Sequence, residues 1–81
     1  MPDVTMENTR WPDGTTVKAY QAAQALERRD HGRGPVGLTE VATATSVAGT
    51  VTFSALAAGR YLGHGTVGGR HVWAEFHSHA A

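Results

Sequence analysis

The residues of this 81-residue chain best equipped for chemistry are its five histidines, His31, His64, His71, His77 and His79. Imidazole nitrogens at strand spacing can gather a transition metal. In an extended segment His77 and His79 project to the same face, because side chains repeat with period two. A closed structural site, however, wants four ligands in tetrahedral array. The chain has no cysteine to complete one, and Glu75 is the only carboxylate near these histidines in the closing hairpin. The sequence therefore predicts solvated histidines, with no metal and no cofactor. Ser54, a histidine and Asp30 can be written as a triad, but no nucleophile-elbow motif places them. The glycine-rich run Gly63-His-Gly-Thr-Val-Gly-Gly69 lacks the lysine and the following helix of a phosphate loop. The chain reads as a non-enzyme.

Composition narrows the partners. Lys+Arg and Asp+Glu both number 7, so the chain is formally neutral. Without a basic field it is not expected to hold nucleic acid independently of sequence. The absence of cysteine excludes disulfides and leaves the redox compartment open. The start, MPDVTMENTR, is polar and does not read as a signal peptide. No apolar run approaches the ~20 residues of a membrane span, so no membrane partner is expected. A chain this short makes one domain with a thin core, burying roughly 60–65% of its unfolded surface.

Most of the chain reads as β. Val4 and Met6 alternate with Thr5 and Glu7 in an extended N-terminal arm, residues 1–11. The phrase Trp11-Pro12-Asp13-Gly14 is a turn, since proline presets φ and Asp-Gly tolerates the left-handed region. It separates the arm from a single β-sandwich domain, residues 12–79. Thr15 to Tyr20 opens that body, with Val17 and Ala19 on one face and Lys18 and Tyr20 on the other. Residues 21–33 are alanine-rich up to the stop at His31-Gly32-Arg33-Gly34-Pro35, and read as either one short helix or an ordered loop. Strand alternation resumes at Leu38. Val41, Thr43 and Thr45 oppose Glu40, Ala42 and Ala44; Ser46 to Gly49 turns; Val51, Phe53 and Ala55 share a face; Ala57-Ala58-Gly59 turns again. Short strands with turn signals about every ten residues predict an all-β fold, a small antiparallel sandwich or barrel.

The last hairpin can be given a register. Gly68-Gly69 is a two-residue loop of the primed-turn kind, which pairs Val67 with Arg70, His64 with Trp73 and Tyr61 with Phe76. Tyr61, Val72, Ala74 and Phe76 then form a core face, and Gly63 and Gly65 beside them leave room for bulky groups from an opposing sheet. Arg60, Leu62, His64 and Thr66 share the opposite face with His71, Trp73, Glu75 and His77. The core expected from these patterns is Val17, Ala19, Val41, Val51, Phe53, Leu56, Tyr61, Val72, Ala74 and Phe76.

The run TVTFSALAAGRYL, Thr50 to Leu62, resembles the corner of prealbumin-like (transthyretin-like, Cna-B-like) β-sandwiches, where a strand crosses to the opposite sheet. More narrowly, ENTRWPDGTTVKAY, then GPVG, then TFSAL, then RHVWAEF make the chain similar to small structural proteins of actinobacterial tailed bacteriophages. That resemblance covers most of the 81 residues, and it departs at Gln21–Arg33, where a looser Pro/Gly/Ser loop is expected. It implies a virion structural protein, a capsid decoration (cement) protein on the outer surface of the major capsid protein shell, made in the bacterial host cytoplasm. A head–tail or tail-associated virion protein is a second implication. A carbohydrate- or cell-surface-binding module of the same sandwich, using outward Trp73 and Tyr20, is a third.

The contact residues expected for such a role are Val4, Met6 and Trp11 in the arm, Leu62 and Trp73 on the outward hairpin face, and Arg28 and Arg29 in the basic cluster. The arm suits strand addition to a neighbouring chain; it equally suits the first strand of the chain's own sandwich. The Leu62/Trp73 face suits association with copies of itself, a trimer being favoured by ring closure of identical patches.

Overall fold

The computed structural model describes residues 3–79. Its element order is β1 (Val4–Met6), β2 (Thr16–Gln21), α1 (Ala22–Asp30), β3 (Ala42–Thr45), β4 (Val51–Phe53), β5 (Gly59–Val67) and β6 (Arg70–Ser78). The protein is mostly β, in two antiparallel sheets. One has two strands, β1-β4, and the other four, in the order β3-β2-β5-β6.

The β5–β6 hairpin takes the register its loop predicts. Val67 faces Arg70, His64 faces Trp73, and Tyr61 faces Phe76. Gly68 and Gly69 have φ of 56° and 80°, the left-handed pair that a type I′ turn requires and that glycine adopts without steric cost. Because pairing preserves the face, Tyr61, Gly63, Gly65, Val72, Ala74 and Phe76 all turn toward the two-stranded sheet. There Val17, Ala19, Val51, Phe53, Leu56 and Tyr61 are buried, with Val72 and Ala74 packed against them. Phe76 stacks on Phe53 with ring centroids 5.1 Å apart.

The phrase that suggested a corner behaves as one. Phe53 ends β4 in the two-stranded sheet, Leu56 plugs the core, and β5 begins at Gly59 in the other sheet. The crossing is braced on both sides. Tyr61 donates its hydroxyl to the Ala57 carbonyl at 2.6 Å, and Ser78 donates to the Leu56 carbonyl at 3.0 Å.

Three expectations change. The division at residue 11 disappears, because β1 pairs with β4, Val4 opposite Phe53 and Met6 opposite Val51. Trp11 itself is 2% exposed in the main core. The segment described as an arm is therefore a wall of the sandwich; Met1 and Pro2 lie outside the described residues.

The phase of β3 is also reversed. Val41 is 43% exposed, whereas Ala42 and Ala44 pack on the core. The neighbour decides this: β2 buries Val17 and Ala19, and β3 pairs Ala44 with Val17 and Ala42 with Ala19. Cross-strand partners share a face, so the alanines go inward despite the stronger β-propensity of Val41.

Lastly, residues 22–30 form a helix, and it covers a sheet face that was expected to be open. Nine residues make a marginal helix alone, and Gln21 gives its start no side-chain cap. Packing supplies what is missing. Ala25 and Leu26 lie against Tyr20 and Leu62, with Leu38 and Trp73 at the margin, forming a second small core on the outer side of the four-stranded sheet. Alanine at positions 22 and 25 leaves the helix backbone room to approach.

Candidate functional site

Two places on the molecule carry the residues singled out from sequence. The first is the helix-side face of β5 and β6. His64 is 8% exposed; its Nε2 lies 2.9 Å from His71 Nδ1, and its ring packs on Trp73 with centroids 4.6 Å apart. Burial, reinforced by the neighbouring His71, holds the His64 imidazole below the ordinary histidine range. Among the described residues, only these two imidazoles come within hydrogen-bond distance of each other. His77 near the end of β6 and His79 just beyond it stack on each other, and among the described residues no three of His, Cys, Asp or Glu come together in a metal-binding group.

Trp73 is half-buried. Its indole N–H donates to the Arg33 carbonyl at 2.9 Å, and its ring lies 6.0 Å from that of Tyr20. The Gly34–Gly37 loop is pinned over this face by Arg28, whose guanidinium donates to the carbonyls of Gly34 and Val36. Gly34 touches the His71 ring so closely that a Cβ there would lie 2.6 Å from Cε1. Arg29 is engaged by Asp30 at 3.0 Å and lies 3.9 Å from Glu75 on β6. The two arginines expected to reach a neighbouring subunit thus serve the chain's own loop, helix and hairpin.

Leu62, expected outward, is fully buried beneath α1, and Tyr20 is 4% exposed. The physical reason is the same for both. They face each other across β2 and β5 and together form the patch on which Ala25 rests. An outward Leu62/Trp73 face is therefore not available, nor is a Tyr20/Trp73 platform on which a sugar ring would stack. A shallow hollow of about 360 Å³ beside them is lined by Thr16, Lys18, Tyr20, Pro35, His64 and Thr66.

The second place is the open side of the sandwich. The closed side brings β3 near β4; on the opposite side, β1 and the segment after it run beside β6 without pairing to it. The gap is a groove of about 430 Å³ between residues 6–11 and the β6 stretch Val72 to Glu75. Its floor ends at Trp11, whose indole donates to the Val72 carbonyl at 3.3 Å. Val4 and Met6, the other arm candidates, turn inward from β1 onto the main core, half-buried.

The seat of Trp11 was half legible. Gly63 and Gly65 opposite Ala74 and Val72 signal a bulky visitor, but nothing in the local pattern names it. It comes from far upstream, at position 11 against positions 63 and 65, and arrives because the Pro12–Gly14 turn folds the N-terminal segment over the sheet. That turn is fastened by Ser46, whose hydroxyl donates to the Trp11 carbonyl at 3.0 Å, and whose carbonyl accepts from Gly14 at 2.9 Å.

Ser54 and Asp30 make no hydrogen bond to a histidine among the described residues. Asp30 is held by Arg29. Comparison with protein-family models, curated proteins and solved structures finds no match to the chain.

Proposed function

We propose that this chain is a non-enzymatic structural protein of a tailed-bacteriophage particle, a decoration protein on the outer surface of the major capsid protein shell, with a prealbumin-like sandwich. The observation that carries the proposal is the corner. The TFSAL stretch takes the chain from β4 in one sheet to β5 in the other, as the resemblance to such proteins requires. The other stretches that carry the resemblance also hold architectural places. Trp11-Pro12-Asp13-Gly14 seats the core indole and turns, and Arg70 to Phe76 is the closing strand. A virion accessory of this kind needs a rigid displayed body and an attachment edge rather than a catalytic cleft. A sugar-binding reading loses support from the burial of Tyr20 and the capping of Trp73.

The experiment is quantitative mass spectrometry of purified particles from an actinobacterial host, with add-back of the purified protein to particles lacking it. Many copies per head, restored by add-back, is the expected result. A few copies at the neck or tail would move the protein to the head–tail region. Absence from the particle would overturn the proposal.

A further inference from the structure

We propose that β6 is a self-association edge: two copies of this chain pair their β6 strands antiparallel, across a two-fold axis through Trp73. Among the described residues, the strand order leaves the outer edge of β6 without a partner strand over nine residues, Arg70 to Ser78. The other edge strands are short, four residues in β3 and three each in β1 and β4. A long exposed edge presents a row of backbone N–H and C=O groups that template another strand. Here the chain's own N-terminal segment stands back from that row and leaves the 430 Å³ groove beside Val72, Trp73, Ala74 and Glu75.

The composition of β6 selects both the partner and the register. Cross-strand neighbours must share a face, so a two-fold axis between antiparallel strands passes through a residue. An axis through Trp73 sets His71 opposite Glu75 of the second copy, twice, with Val72 opposite Ala74 on the core side and Trp73 beside its counterpart. An axis through Ala74 sets His71 against His77, and one through Glu75 sets the two carboxylates against each other. One through Val72 shortens the pairing and sets His71 against Trp73. An axis through Phe76 also joins Glu75 to His77 at both ends, but within β6 it pairs only residues 74 to 78 and sets Ala74 against Ser78; the Trp73 axis pairs residues 70 to 76 and sets Val72 against Ala74.

Among the described residues, each of the two side chains keeps one atom without a hydrogen-bond partner. Arg60 occupies Glu75 Oε2. Oε1 has only Arg29 at 3.9 Å, beyond hydrogen-bond range. His71 uses Nδ1 toward His64; its exposed ring must turn out from beneath Gly34 to bring Nε2 to the carboxylate. Each contact between opposed side chains is modest, and the two-fold repeats it. The inference stands independently of any particle.

The test uses the full chain in sedimentation equilibrium over a range of concentrations, with far-UV circular dichroism to report folding. The wild type is expected to show a reversible monomer–dimer equilibrium. Glu75→Arg and His71→Glu should each weaken the dimer at least tenfold, and the charge-swapped pair His71→Glu/Glu75→Arg should recover it. Because the chain has no cysteine, single introduced thiols read the register. Trp73→Cys should oxidise to a covalent dimer, and Ala74→Cys should not. If Trp73→Cys fails to fold, the charge swap decides alone. A wild type that stays monomeric, a dimer indifferent to both charge reversals, a swap that fails to recover a folded dimer, or a cross-link at position 74 in place of 73 overturns the proposal.

Discussion

The indole of Trp11 occupies the space where Gly65 would carry a side chain: a Cβ on Gly65 would lie 2.6 Å from Trp11 Nε1 and 2.7 Å from Cδ1. Two residues along β5, a Cβ on Gly63 would meet the far end of the same ring at 3.2 Å. The N-terminal segment and the β5–β6 hairpin are thereby keyed together. Gly65→Val should expel the indole and destabilise the fold by about 1–3 kcal/mol, the usual range for overpacking. Gly63→Ala, with more room, should cost less. Tryptophan fluorescence in a urea titration reads both effects. An unchanged midpoint for Gly65→Val would mean that Trp11 does not sit there.

Phe53 is fully buried and stacks on Phe76, ending the strand that feeds the corner. Phe53→Ala removes a ring from the middle of a thin core, a change that costs ~3–5 kcal/mol. Total stability in proteins runs to only about 5–15 kcal/mol, with small domains toward the low end. The variant should be largely unfolded or aggregated at 37 °C. A soluble Phe53→Ala protein with unchanged melting would contradict the sandwich core.

Removing residues 1–9 deletes β1 and its pairing to β4, together with the packing of Val4 and Met6. It also removes the Asp3 carboxylate that accepts the Ala55 amide at 3.0 Å, at a non-glycine residue with φ of 54° beside the corner. The truncated chain should lose cooperative melting. If it melts as the full chain does, the segment is an appendage after all, and its role in attachment returns to the foreground.

His64 makes stability depend on pH. Its imidazole is held below 6.5, first by burial and then by His71, so the unfolded chain binds the proton more readily than the folded one. Stability is therefore full above the unfolded value and falls as pH drops below about 6.5, until the folded group itself protonates. Melting temperature should decline through that window in the wild type, and less steeply in His64→Gln. A decline of equal slope in both would assign it to other groups.

How much of this was legible in the sequence differs from element to element. The β5–β6 hairpin was legible to the residue, because a Gly-Gly loop sets the register and alternation then sets the faces. The corner was legible only through the resemblance of TVTFSALAAGRYL to prealbumin-like sandwiches; the residues by themselves mark just a turn at Ala57-Ala58-Gly59. Each of these signals is local, carried by residues a few positions apart. The phase of β3 was not legible. Val41 outweighs Ala42 in propensity, yet Val17 and Ala19 on the adjacent strand draw the alanines inward. Nor could the sequence place Leu62, Tyr20 and Trp73. Their face reads as outward on the hairpin, and it is closed by a nine-residue helix that depends on that same face for its stability. The fate of Trp11 was likewise a tertiary matter. The sequence by itself determined where strands turn back on themselves and how the closing hairpin is registered. Only the folded structure decided which faces are covered, because a side chain's burial depends on what long-range packing brings across from it.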